Sequence, residues 1–453
     1  MSRDVTTIAA ADASLGAPDG RSLPRLLLDV PSHEPMSLDH HLAAHGEPAH
    51  EPRRGRRRHE SPLIDRVERA GLRGRGGAAF PTAVKLRAVA RGRRPIVVVN
   101  AAEGEPASLK DRTLSELLPH LMLDGGELAA EAVGAEEVIV CVCESAIASV
   151  ESVSAAIEER RGRRGSSVRT QLSVVPSGYV VGQESALVNH LNGGPAIPTF
   201  SPPLPFQQGL RRRPTLINNA ETLAQLALIA RHGSTWFREL GTPSQPGSAL
   251  VTLSGPVAYP GVYEIEPGSS LTSLIDAAGG ATAPARAALL GGYAGAWIDG
   301  SLLAGVRMSD EHLATHGASL GAGVVLLLSQ DACPVAETAR VARWLADQST
   351  RQCGPCVNGL DALAATVEEI AGGATNGNAG KRIERLAALV RRRGACGHPD
   401  GVANFILSAL QTFAAAFADH ARHGPCESCA GVAELPLPAW PRRDARRREP
   451  VAF

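Results

Sequence analysis

At 453 residues the chain is long enough for two to four domains. Its formal net charge is zero, so no whole-chain field favours nucleic acid, and no apolar run approaches the roughly 18 residues that span a bilayer. The N-terminus lacks the charged-then-apolar pattern of a secretory signal, and the expectation is a cytoplasmic protein without direct membrane insertion.

Residues 1–60 mix Pro, His and Gly, carry the basic run Arg53–Arg58, and read as a poorly ordered lead-in. Folded structure is expected from Pro62, where Leu63, Ile64, Val67 and Ala70 have helical spacing and Gly71 ends the turn. Next comes G-L-R-G-R-G-G-A-A-F-P, Gly71–Pro81. A packed helix or strand disfavours four glycines in eleven residues, because each costs backbone entropy and adds no core side chain. A loop pressing its backbone on a flat or phosphorylated ligand suits them. The competing reading is a flexible linker, but linkers favour Ser, Pro and acidic residues over a phenylalanine beside paired arginines.

Thr82 is placed to cap a helix through Lys85 and Val89, and Pro95 introduces the strand I-V-V-V-N. A helix near Gly126–Val133, the strand V-I-V-C-V-C, a helix over 145–160 and a strand over 172–175 follow. This alternation predicts an α/β fold with a parallel sheet, in which ligands gather at the carboxyl ends of strands. Asn100, Glu103 and Glu105 (N-A-A-E-G-E-P) lie at one such end, and Tyr179 and Glu184 (G-Y-V-V-G-Q-E) follow another. Cys141 and Cys143 sit in a strand pattern and read as core.

From residue 246 two alternating strands surround a Pro-Gly turn, followed by a short helix over 271–278 and further strands in A-L-L-G-G-Y and V-V-L-L-L-S. From Pro334 the pattern is helical, with amphipathic stretches around Ile383–Val390 and Ile406–Phe417. Short one-faced helices suggest a small bundle. Most of the eight cysteines fall here as C-x-x-C pairs, which points to metal or redox chemistry more than to a disulfide framework. The expected units are thus 61–240, 246–330, 334–430 and a basic tail over 431–453.

The ordered set G-L-R-G-R-G-G-A-A-F-P, N-A-A-E-G-E-P, K-D-R, G-Y-V-V-G-Q-E and P-T-L-I-N-N-A-E-T resembles the flavin-carrying, NADH-oxidising F subunit of respiratory complex I, with relatives in NAD-linked hydrogenases and formate dehydrogenases. The resemblance spans residues 60–430. It implies a Rossmann-like FMN-binding domain, a β-grasp (soluble-ligand-binding) domain and a C-terminal helical bundle with an iron-sulfur site. It also implies hydride transfer from NAD(P)H to FMN and single-electron transfer to a partner such as a ferredoxin.

Carried over by match, Gly74, Arg75, Gly76, Gly77, Lys85, Asn100, Glu103, Tyr179, Glu184, Asn218, Asn219 and Thr222 form the FMN site. Phe80 stacks on the adenine, and Glu105 meets the nicotinamide end. Family cluster ligands match Cys353, Cys356 and Cys396, with 39 residues between the last two, while Thr350 occupies the first cysteine's place. Three thiolates suit a [4Fe-4S] cluster with a non-Cys fourth ligand, or a [3Fe-4S] cluster. Zinc or a plain dithiol is the competing reading. Cys426 and Cys429 either fold back as the missing ligand, form a second site, or form a redox disulfide; Cys333 reads as a buried or an incidental thiol. Ala102, Gln183, Ser201, Leu204 and Ala88 depart from the family pattern and thin the dinucleotide clamp. A paralogue that keeps fold and cluster without oxidising NADH is therefore the alternative.

Overall fold

The computed structural model describes residues 23–31, 34–48, 61–161, 168–373 and 378–440. Four parallel strands, β1 (Ile96–Ala101), β2 (Glu137–Cys143), β3 (Arg169–Val175) and β4 (Thr215–Asn219), form a sheet in the order β3-β2-β1-β4. β2 is buried along its whole length and β1 almost so, as strands covered by helices on both faces should be. Cys141 and Cys143 are core residues, as the strand pattern predicts. β2 and β4 flank β1 on opposite sides, so a crevice opens at the carboxyl ends of β1 and β4, where Asn100 pairs with Asn219.

A second sheet contains β5 (Ala249–Ser254), β6 (Gly261–Ile265), β7 (Ala285–Leu290), β8 (Ala296–Asp299) and β9 (Val324–Ser329), in the order β6-β5-β9-β7-β8. Only β5 and β9 are parallel, which together with the helix Leu271–Ala277 gives the expected β-grasp arrangement. The helices Pro334–Asp347, Leu360–Ala371, Ala379–Val390, His398–Thr412 and Ala414–His423 pack through Leu345, Leu363, Ile383, Phe405 and Phe417. Among the described residues no single helix is long and apolar enough to cross a membrane.

Several expectations differ from the structure. Thr82 is the first residue of its helix, flanked by Pro81, and makes no cap bond. The stretch expected as one helix around Ile406–Phe417 is two, bent by 83° at Phe413, whose ring is fixed 5.2 Å from Trp297. The lead-in contains a packed cover. Helix Leu38–His45 lays His41 on Asp124 at 2.8 Å, and Glu264 accepts from the backbone N–H groups of Arg25, Leu26 and Leu27. Three histidines in eight residues hid that helix from an apolar-periodicity test. In the C-terminal segment, residues 434–440 pack along helix Pro334–Asp347, with Leu435 buried and Trp344 Nε1 donating to the Pro438 carbonyl at 2.9 Å. The basic runs Arg53–Arg58 and 442–448 lie outside the described residues.

Candidate functional site

The glycine-rich loop runs from the helix Pro62–Ala70 to the helix Thr82–Ala90, past the carboxyl end of β4. Gly71 closes the first helix in the left-handed region (φ 75°), which a side chain would strain. A Cβ at Gly76 would lie 3.2 Å from the Asn219 Cβ, so the loop backbone rests on β4's last residue. The Arg75 N–H donates to Thr222 Oγ1 at 2.9 Å. The Arg75 guanidinium is buried and donates to the Pro246 and Ser248 carbonyls, 3.9 Å from Glu221. This arginine, expected at the flavin, thus ties the loop to the start of the β-grasp unit.

Glycine also governs the opposite wall. A Cβ on Gly182 would stand 2.4 Å from the Ala102 carbonyl oxygen, and one on Gly104 would stand 2.5 Å from that of Tyr179. The turns after β1 and β3 therefore interlock backbone to backbone. Asn100 Nδ2 donates to the Gly182 carbonyl at 2.8 Å and braces the contact. Lys85 Nζ reaches Glu184 at 2.5 Å and the Ile217 carbonyl at 3.0 Å. Gln183, a departure from the family motif, caps the helix Glu184–Leu191 by accepting from the Ser185 and Ala186 N–H groups.

Glu103 accepts from Ser108 Oγ (2.5 Å) and from the Asp111 and Arg112 N–H groups (3.1 Å each), capping the helix Lys110–Leu117. Burial, then Asp111, raises its pKa. Beneath it Lys110 is buried between Asp111 (2.8 Å) and Glu221 (3.1 Å), with Asn219 Oδ1 at 3.3 Å. Burial opposes the ammonium charge, but Asp111, Glu221 and Glu103 together outweigh it and raise the lysine's pKa. In the sequence K-D-R stands out only as a motif; its lysine and aspartate prove to be the floor of the site.

Glu105 Oε2 accepts from the Tyr293 N–H at 2.8 Å and from the Tyr179 hydroxyl at 3.4 Å, while Oε1 accepts from the Ala107 N–H at 3.3 Å. Burial pushes its pKa up to about 7 against these donors. A Cβ on Gly292 would meet Glu105 Oε2 at 2.5 Å, so the carboxylate is wedged against the turn between β7 and β8. Phe80 is 49% exposed, Leu204 is 44% exposed and Ser201 is exposed, consistent with a thinned clamp.

Three buried polar atoms among the described residues lack a hydrogen-bond partner around this crevice: Arg75 Nε in the loop, Asn218 Nδ2 on β4 and Thr82 Oγ1 at the start of the helix after the loop. Unpaired buried polar groups are costly, and such donors on the elements that bound a glycine-lined cleft fit a ligand rich in acceptors, such as the ring carbonyls and phosphate of FMN.

Cys353, Cys356 and Cys396 interact electrostatically, the first two through a sulfur hydrogen bond. Cys356 is buried at the π-helical turn Pro355–Gly359, and the other two are partly exposed. Backbone N–H groups of Arg351 and His398 donate to Cys356 and Cys396 respectively. Burial raises the pKa of Cys356 and Cys396, so these sulfurs carry protons until a metal displaces them; three soft sulfur donors grouped in this way fit an iron-sulfur cluster. Thr350 is buried, and its Oγ1 accepts from Gln352 Nε2 at 3.1 Å.

Tyr179 joins the two centres. Its hydroxyl meets Glu105, its N–H donates to Gln348 Oε1 at 3.3 Å, and its ring lies 5.3 Å from His398 and 5.6 Å from Trp344. His398 Nε2 is 3.0 Å from the Leu345 carbonyl, and the residue lies two positions beyond Cys396. Cys426 and Cys429 interact with Cys333 and His420 instead of the Cys353 trio, which corrects both the fold-back option and the incidental reading of Cys333. No local pattern links Cys333 to a partner 96 residues away.

Residues 67–228 match the family model described as the Nuo51 FMN-binding domain, residues 250–293 the SLBB domain, and residues 336–420 the NADH-ubiquinone oxidoreductase-F iron-sulfur binding region. The chain is 33% identical over 379 residues to the F 2 subunit of NADH-quinone oxidoreductase in Rhizobium meliloti, covering 80% of this chain and 90% of that one. It is 29% identical over 379 residues to the NADP-reducing hydrogenase subunit HndC of Solidesulfovibrio fructosivorans, covering 80% and 77%. An NAD+-reducing [NiFe]-hydrogenase crystallised in the H2-reduced state is similar in fold, with TM-score 0.73 and 31% identity. The match covers 80% of this chain and 63% of that one, so the chain spans under two thirds of the hydrogenase chain.

Proposed function

The chain belongs to the family of NADH-quinone oxidoreductase F subunits, and on that premise we propose that it takes hydride from NAD(P)H into FMN and passes single electrons through an iron-sulfur cluster to a partner subunit. A ferredoxin in the cytoplasm is the partner we favour. The observation that carries the reading is Tyr179, which touches both the Glu105 crevice and the His398 segment beside Cys396. When bound, FMN supplies the conversion of a two-electron hydride into single-electron steps.

The protein's own groups supply position and charge. The loop Gly74–Gly77 offers a flat backbone seat, with Asn218 Nδ2 and Thr82 Oγ1 as free donors. Lys85, held by Glu184, sets a positive charge beside β4. Asn100, Asn219, Thr222 and Glu103 hold the surrounding turns through the bonds described above. Glu105 offers a carboxylate toward the nicotinamide, where hydride loss creates a pyridinium cation; a fixed anion there favours that charge. Phe80 provides an exposed ring for the adenine. Cys353, Cys356 and Cys396 would hold the cluster, with Thr350 the protein side chain offered where the family has its first cysteine.

The exposed Ser201 and Leu204 favour a second reading, in which fold and cluster persist but NADH is not the donor. The purified protein's visible spectrum separates the two. Flavin bands and an iron-sulfur shoulder bleached by NADH support the first reading; a flavin reduced by dithionite but untouched by NADH or NADPH refutes it.

A further inference from the structure

We propose that Cys333, His420, Cys426 and Cys429 form a second metal site, a mononuclear zinc centre separate from the flavin and the iron-sulfur cluster. Their four ligand atoms all lie within 4.8 Å of one another, the only such group among the described residues. Four of the six edges are Cys333 to Cys429 at 3.5 Å, Cys426 to Cys429 at 3.7 Å, Cys333 to His420 Nε2 at 3.4 Å and Cys429 to His420 Nε2 at 3.8 Å, and the two from Cys426 to Cys333 and to His420 are within 4.8 Å. A tetrahedral zinc with bonds of about 2.3 Å to sulfur and about 2.0 Å to imidazole nitrogen has edges of about 3.8 Å between sulfurs and about 3.6 Å between sulfur and nitrogen. The observed set matches a single ion and is too compact to enclose a multi-iron cluster. The Cys353, Cys356 and Cys396 sulfurs do not meet the same spacing.

The surroundings fit the same assignment. His420 Nδ1 lies 3.4 Å from the Ala371 carbonyl, so its proton belongs on Nδ1 and the Nε2 lone pair faces the sulfurs. That outer bond is the usual way a metal-binding histidine is oriented. Cys333 is the N-cap of helix Pro334–Asp347, and its sulfur accepts from the Ala336 N–H at 3.4 Å. Cys426 is the N-cap of the one-turn helix Glu427–Ala430 and Cys429 lies within it, giving the short C-x-x-C bite common in zinc sites.

The centre has a structural consequence. It fastens residues 426–429 to two bundle helices just before the segment Glu434–Trp440 crosses helix Pro334–Asp347. That segment receives hydrogen bonds from Tyr293, Trp344 and Gln348 at Pro436, Pro438 and Trp440, all beside Tyr179. Zinc therefore anchors a strap whose far end backs the flavin crevice.

The test is metal analysis of full-length protein purified anaerobically from zinc-replete cells, with zinc-edge X-ray absorption on the wild type. We expect about one zinc per chain with three sulfurs and one nitrogen in its shell. In the variant Cys426→Ser/Cys429→Ser zinc should fall at least tenfold, while flavin and iron content stay unchanged. Three results would overturn the proposal. The first is zinc at trace level in wild type. The second is an intact mass showing a Cys426–Cys429 disulfide in the anaerobic protein. The third is iron lost from the variant in place of zinc. The absorption measurement needs no variant, so a variant that misfolds leaves the proposal decided.

Discussion

Glu105→Gln tests the crevice most directly, because the substitution keeps the shape and removes the titration. Wild-type Glu105 has its pKa pushed up to about 7 by burial, against the usual value of 4.5. Glu103 adds repulsion; the Tyr293 and Ala107 N–H groups and the Tyr179 hydroxyl oppose both. The folded chain therefore keeps a proton that the unfolded chain releases between pH 4.5 and 7, and this group's contribution to stability falls as pH rises through that window. The size is at most about 3 kcal/mol, reduced because the residue is only half-buried. In the variant the amide oxygen keeps the Tyr293 bond and only the 3.3 Å Ala107 contact is lost, a cost of about 1 kcal/mol. Thermal midpoints should therefore fall from pH 5 to 8 in wild type more steeply than in the variant. For catalysis, replacing a charge-assisted contact to the nicotinamide by a neutral one forfeits about 1–2 kcal/mol, or roughly 5- to 30-fold in kcat/KM for NADH. That deficit should appear above pH 7 and close towards pH 6, where wild type is itself protonated. Stopped-flow bleaching of the flavin against pH is the assay. An equal deficit at pH 6 and 8, or an inflection near 7 that survives in the variant, would refute the assigned role.

Two further substitutions separate seat from scaffold. Lys85→Met removes a half-exposed ion pair worth about 1 kcal/mol at most, so the apoprotein's melting temperature should barely move. FMN affinity should drop roughly 10- to 100-fold if the ammonium meets the flavin, by fluorescence titration of apoprotein; a Kd within twofold of wild type argues against that contact. Gly182→Ala drives a methyl to 2.4 Å from the Ala102 carbonyl and should cost about 1–3 kcal/mol while weakening FMN binding. Unchanged stability and affinity would mean that the two turns are not interlocked.

Different parts of this structure are legible in the sequence for identifiable reasons. β1 and β2 are continuous apolar runs, and a buried parallel strand has no other composition. The loop Gly71–Pro81 stands out because only ligand-facing or tight backbone tolerates so many glycines. Lys110, Glu221 and Arg75 are illegible as a network, since their partners come from three separate stretches and a buried charge looks like any surface charge in one dimension. Motif position assigns Arg75 to the flavin, yet its side chain serves the junction with residues 246–248. Cys333 and His420 give no signal because metal-ligand spacing is local in sequence only when both ligands sit on one turn.

Tyr179 couples the two centres through charge as well as contact. Its hydroxyl reads the protonation of Glu105, and burial with that neighbour raises its own pKa, so the phenol stays neutral and remains a donor. Its ring edge meets Trp344, and His398 lies on the side of Cys396. Burial lowers the His398 pKa to about 4, so the imidazole between the two centres is uncharged. The partition is neutral and aromatic-lined, with the rings in near contact. One residue of the G-Y-V-V-G-Q-E motif thus touches both Glu105 and the His398 segment beside Cys396. The strap ending at Trp440, 5.8 Å from Trp344, closes the same partition from behind. Side chains from the turns of the parallel sheet, the bundle and the C-terminal segment together build this partition, and if FMN and the cluster bind on its two sides as proposed, loosening any one of them should slow electron exit before it affects flavin binding.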